Sequence, residues 1–129
     1  MNNQYINKAG LLLLIFFLIQ SCTTSIEIEG FSSKDWKSDR NGCKNTRLAS
    51  IKTLMMSRDK ILGQEEHSIL NLLGRPDKNE LLRRQQKFYF YYLEPSPLCD
   101  NITSEVDSAS YLSIHFNATG VVNEIFVYE

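Results

Sequence analysis

Three cysteines, Cys22, Cys43 and Cys99, and two histidines, His67 and His115, have the widest chemical reach of any residues in this chain. Thiols can be lipidated, joined as a disulfide, used as a redox pair or bound to a metal. A dithiol redox centre needs C-x-x-C spacing, and a metal site needs Cys and His close together. Neither pattern is present, because the cysteines are far apart and the histidines are not clustered with them. G-x-S-x-G, H-E-x-x-H and a phosphate-cradling glycine loop are missing from the sequence as well. A lone histidine has no partner from which to argue acid–base catalysis. Asp39-Arg40-Asn41-Gly42 begins like a calcium loop, but Lys or Ser residues stand where the far bidentate glutamate belongs, so a turn or helix entry is the reading. The expectation is a protein that is not an enzyme, with no metal and no dissociable cofactor.

The N-terminus carries a clearer signal. Met1 to Lys8 is polar with one positive charge, and Ala9 to Ile19 is almost wholly apolar. Such a run is too short for a bilayer core, which takes about 20 residues, and matches a signal-peptide core instead. Ile19-Gln20-Ser21-Cys22 then resembles the lipobox of bacterial lipoproteins. The resemblance implies that residues 1–21 are a signal peptide and that Cys22 becomes the N-terminus. Cys22 would carry covalent diacylglyceryl and acyl chains, such as palmitate, and two or more chains hold a protein stably at a membrane. By the same resemblance to lipoproteins and their sorting, Thr23, rather than Asp, after the cysteine favours the outer membrane over the inner in a cell that has one. The alternatives are an ordinary signal peptide cut nearby or an uncleaved anchor.

With Cys22 assigned to lipid, Cys43 and Cys99 remain in an oxidising compartment, and a Cys43–Cys99 disulfide is the simplest arithmetic. It would stabilise the fold by about 4 kcal/mol in the chain-entropy account. A redox pair or metal ligands stand as the alternatives. Without its first 21 residues the 129-residue chain keeps 108, with 13 basic and 15 acidic side chains. That near-neutral balance gives no reason to propose nucleic acid as a partner. Apolar residues at 43% fit one folded domain.

The elements that position these residues follow from periodicity. Residues 22–42 read as a lipidated N-terminus and tether, in which Trp36 packs over the domain edge or contacts a partner. A helix is expected from Asn45 to Leu62, with Leu48, Ile51, Leu54 and Met55 as its apolar stripe, Arg47 off that stripe, and Asn45 or Thr46 as cap. A second is expected from Glu65 to Leu73, stopped by Gly74 and Pro76, with His67 solvated. Glu80 to Arg84 reads as a strand paired, across Gln85-Gln86, with the aromatic run Phe88 to Leu93. Leu98 to Ser108 is a loop. Tyr111 to Phe116 buries Leu112, Ile114 and Phe116, which puts His115 on the exposed face. Asn117 to Gly120 turns the chain into Val121 to Tyr128. The N-x-T sequons at Asn101 and Asn117 read as chance.

Leu62-Gly63, Leu72-Leu73-Gly74-Arg75-Pro76-Asp77, Tyr91-Tyr92 and Leu112-x-Ile114-x-Phe116-Asn117-x-x-Gly120-x-Val122 resemble the junctions of the SmpA/OmlA (BamE-like) small outer-membrane lipoproteins, whose fold β-lactamase inhibitor proteins share. The resemblance covers residues 45–128. It implies an α+β domain over residues 43–129, with two helices followed by a three- or four-stranded antiparallel meander. It also implies a membrane-tethered envelope protein that binds a protein partner, as an accessory to outer-membrane assembly or maintenance. An inhibitor or ligand-sensing lipoprotein acting on an envelope enzyme is the alternative, with Glu94 to Asp100 as its probe. Trp36, Tyr89, Tyr91 and Tyr111 are the candidate contacts, because tyrosine offers area with a polar tip. Core packing of the tyrosines is the alternative.

Overall fold

Alternation in the last third of the chain builds a sheet, and two amphipathic segments build the layer that covers it. A computed structural model describes residues 25–99 and 109–129. The order is α1 (Ser33–Ser38), α2 (Thr46–Met56), α3 (Glu66–Leu73), β1 (Lys78–Leu81), β2 (Lys87–Tyr92), β3 (Tyr111–Phe116) and β4 (Val122–Tyr128), with short 3-10 turns at Arg40–Gly42, Arg58–Lys60 and Arg83–Gln85. The strands form one antiparallel sheet in sequence order, β1-β2-β3-β4. This is the expected α+β architecture, with one helix more than expected.

The additional helix, α1, arises in the segment read as a polar tether. Ser32 caps it by accepting a hydrogen bond from the Asp35 amide at 3.2 Å, and Asp35 and Lys37 suit the two ends of its dipole. It is fixed to α3 where Ser33 Oγ and Lys37 Nζ donate to the Leu72 and Asn71 carbonyls, each at 2.5 Å. Ile28 and Trp36 lie in the core, with Ile26 and Phe31 packed against it. The tether reading therefore fails from Ile26 onwards: burying these apolar side chains outweighs the freedom of a spacer.

Two other boundaries differ. The α2 helix ends at Met56, where the chain tightens to i→i+3 bonds, Ser57 N to Leu54 O and Lys60 N to Ser57 O. That turn carries Ile61 into the core and leaves Met56 exposed. The α2 stripe is thinner than expected, since Leu48 is exposed and Ile51 and Met55 are half-buried, while Leu54 is buried. Strand β1 runs Lys78–Leu81 instead of the expected Glu80 to Arg84: Arg84 and Gln85 take left-handed backbone angles and make the turn into β2, so the strand ends at Leu81, and its pairing begins at Lys78, opposite Phe90. Strand β3 has the expected limits, and Leu112, Ile114 and Phe116 are buried against the helices.

Candidate functional site

The helix-facing side of the sheet is closed by a buried ionic knot. Arg47, expected off the apolar stripe, is fully buried on α2. Its guanidinium pairs with Asp77, donates to the Trp36 carbonyl at 3.1 Å and to the Tyr92 carbonyl at 3.2 Å, and lies 5.4 Å from the Trp36 ring centre and 5.5 Å from that of Tyr91. Asp77 also accepts from the amides of Asn41 (3.1 Å) and Tyr92 (2.9 Å). Asp39, wholly buried, accepts from the amides of Lys44 (2.7 Å) and Arg47 (3.0 Å). It thus caps α2 in place of Asn45, whose left-handed backbone makes no side-chain cap. Asp39-Arg40-Asn41-Gly42 is accordingly a turn that binds the protein's own amides.

Cys43 and Cys99 form a disulfide with their Cα atoms 5.7 Å apart, joining the entry of α2 to the chain after β2. Gly42 beside it has φ +72°, and a Cβ there would collide with the Glu94 backbone, so the close approach needs glycine. The lipidation residue, Cys22, and the sequon Asn101 lie outside the described residues.

Three of the four candidate contacts face inward. Trp36 and Tyr91 are wholly buried and Tyr89 is 5% exposed. Strand parity is the cause: alternate residues share a face, and Tyr89 and Tyr91 share theirs with Ile114 and Leu112, their register partners. Tyr91 donates its hydroxyl to the Gly74 carbonyl at 2.9 Å. Tyr89 donates to Glu66, which also takes both Lys87 Nζ contacts, at 2.7 and 2.8 Å. Burial pushes both phenols well above their ordinary range, aided at Tyr89 by the bond to Glu66, so neither can act as a base near neutral pH.

Tyr111 alone lies on the other face, which no described helix covers. Register places Phe88, Phe90 and Tyr92 of β2, Tyr111, Ser113 and His115 of β3, and Glu124, Phe126 and Tyr128 of β4 together there. Six rings form a closed circuit: Phe88–Phe90 at 6.5 Å, Phe90–Tyr111 at 5.5 Å, Tyr111–Tyr128 at 4.9 Å, Tyr128–Phe126 at 6.3 Å, Phe126–His115 at 5.3 Å and His115–Phe88 at 3.9 Å between centres. Ser113 sits inside the circuit, 1% exposed although no described helix is above it. A groove of about 380 Å³ runs beside the circuit, between Lys78 and Glu80 of β1 and Tyr92, Pro97 and Tyr111.

His115 is on the expected face but is not freely exposed. Its side chain keeps 16% of its surface under Phe88 and Phe126. Burial holds its pKa below the ordinary histidine value although Glu124 pulls the other way. Its Nε2 is 2.9 Å from Ser113 Oγ and its Nδ1 3.2 Å from Glu124. That is the connectivity of a nucleophile, base and orienter, which spacing alone did not reveal. Two features oppose catalysis. The serine is roofed by rings, and β3 is paired on both sides, so its amides serve the ladders and do not form an oxyanion hole. The contacts satisfy a buried hydroxyl. His67 is exposed beside Glu65.

Compared with known proteins, the chain matches no protein-family model, no curated protein and no solved structure.

Proposed function

We propose that this chain is a lipid-anchored protein of the cell envelope that binds a protein partner through the aromatic face of its sheet. The ring circuit around Ser113 is the observation that carries this reading. Aromatic side chains are the strongest anchors of protein interfaces, and rings fixed against one another lose little freedom on binding. Lys78, Glu80 and Glu124 supply a polar rim. The lipobox-like Ile19 to Cys22 supports anchoring through Cys22, in the outer membrane by the residue that follows it. The resemblance to SmpA/OmlA lipoproteins supports an accessory part in outer-membrane assembly or maintenance. The reading is non-enzymatic and involves no nucleic acid.

The test is affinity capture of the full-length protein from detergent-solubilised envelopes, beside Cys22→Ala and Tyr111→Glu variants of matched melting temperature. A stoichiometric protein retained by the wild type and lost with Tyr111→Glu is the expected result. Cys22→Ala should abolish fatty-acid labelling and membrane retention. The same captured proteins with and without Tyr111→Glu would refute the face, and turnover of an ester that is lost in Ser113→Ala would refute the non-enzymatic reading.

A second reading has one specific observation behind it. Leu98 is 65% exposed between Pro97 and the disulfide-held Cys99. A braced loop with a protruding apolar residue suits an inhibitor of an envelope enzyme. In that case Leu98→Ala, rather than Tyr111→Glu, abolishes capture.

A further inference from the structure

The two edges of the sheet are guarded unequally. β1 is four residues long, carries Lys78 and Glu80 as an ion pair at 2.6 Å, and runs into the left-handed turn at Arg84 and Gln85. Short length, charge and a twist away from the plane are the usual protections of an edge strand. β4 is seven residues long, and among the described residues only its start is covered: Val122 exchanges hydrogen bonds with Gln64 and Gly63 at 2.9 Å each. From Asn123 to Tyr128 its outer edge pairs with no described residue. That stretch has a single charge, Glu124, no proline and no lysine, and strand-forming residues on both faces.

We propose that β4 pairs antiparallel with β4 of a second copy of this chain, about a two-fold axis at Phe126. The occupant follows from the strand's self-complementarity. A register centred on Phe126 sets Phe126 opposite its own copy, Ile125 opposite Val127, and Glu124 opposite Tyr128. Each pair lies on one face, so the apolar rows under the helices and the aromatic rows outside continue across the seam. No charge meets its like, whereas centring on Glu124 would oppose two carboxylates. The axis stands perpendicular to the sheet, as antiparallel pairing requires, and puts both helix layers on one side. Ile28 and the residues beside it pack in that layer in each copy. On the lipid-anchor reading, both anchors therefore reach the same membrane. The edge argument stands without that reading.

The test is oxidative cross-linking of the full-length protein in its own membrane. Cys43 and Cys99 are already paired, and the wild type run beside each variant shows any link made through Cys22, so an introduced thiol reports its own neighbour. Phe126→Cys should give a disulfide-linked homodimer, because directly opposite Cβ atoms lie about 5 Å apart. Glu124→Cys should not cross-link alone but should link when mixed with Tyr128→Cys. Leu81→Cys on the guarded edge should stay monomeric. No link at Phe126→Cys, equal linking at Leu81→Cys, or a Phe126→Cys adduct with a different protein would each overturn the proposal. Sedimentation of the detergent-purified protein covers the case in which the thiol variants fold poorly. The wild type should dimerise, with at least about tenfold weaker association in Phe126→Lys, which opposes two ammonium groups at the axis. A wild type monomeric at every concentration overturns the pairing.

Discussion

Removing Asp77 should be the most damaging single polar change in this domain. Its side chain and that of Arg47 are both fully buried. Asp77→Ala leaves a guanidinium charge in a dry interior and strips the acceptor from the Asn41 and Tyr92 amides. Breaking a buried pair from one side costs about 3–5 kcal/mol. Each stranded amide adds about 1–3 kcal/mol. The expected loss for Asp77→Ala is therefore at least about 4 kcal/mol, a large part of the roughly 5–15 kcal/mol that holds a domain folded. Arg47→Met should cost less, about 3 kcal/mol, because two amides still face the remaining carboxylate and methionine fills the space. The double variant should lose less than the sum of the singles by about 2 kcal/mol or more, since neither charge is then stranded. Equilibrium urea unfolding measures all three. Trp36 is the chain's one tryptophan and lies against Arg47, so its fluorescence reports this knot directly. Additive singles, or an Asp77→Ala loss no larger than that from breaking the exposed Lys78–Glu80 pair, would refute the reasoning.

Burial pushes the Glu66 carboxyl up, but hydrogen bonds from Lys87 and Tyr89 and the Lys87 charge outweigh it and hold the carboxyl below its ordinary value. A depressed acid contributes stability above its unfolded value of about 4.3 that is lost as pH falls through the folded value, so Glu66→Gln should flatten the acid limb of a stability–pH curve; unchanged limbs would sink the assignment. His115, held below its ordinary value by burial, should weaken the fold as pH falls from about 6.5 through its folded value, and His115→Gln should remove that slope in thermal melts. Gly42→Ala should destabilise by roughly 1–3 kcal/mol in urea, through the left-handed φ and the collision with Glu94, and a neutral effect would contradict both. Ile28→Ala should cost about 2–4 kcal/mol in the same assay, whereas a residue in a free spacer would cost nothing.

Sequence pattern revealed the fold because the last strands alternate cleanly and their turn has its own chemistry. Asn117 Oδ1 accepts from the Thr119 and Val121 amides at 3.0 Å each, which closes the turn the spacing suggests. The candidate contacts were harder to read, because a run from Phe88 to Tyr92 says only that some rings face each way. Which parity faces the helices is set by register with β3: Tyr92 stands opposite Tyr111, so Phe88 and Phe90 share the open face while Tyr89 and Tyr91 go inside. A sequence argument could have reached this by pairing Tyr111 with Tyr92 before assigning either. Arg47 gave no such signal. A charged residue beside an apolar stripe is ordinarily solvated, and only the arrival of Asp77, 30 residues away, makes its burial tolerable.

The same knot changes what an N-terminal anchor would do. Trp36 lies under Arg47, and Ile28 and Phe31 pack in the helix layer, so the structured domain begins well before Cys43. Ser25 is three residues after Cys22, a span of about 11 Å at most in an extended chain. On the lipoprotein reading there is too little slack for the domain to rotate freely above the membrane. It would be held with its helix layer towards the bilayer, near the anchor, and the ring circuit on the far side of the sheet. An aromatic face beside the lipid would compete for membrane. On the function proposed above, one held away from it, around a serine only 1% exposed, is free to meet another protein instead.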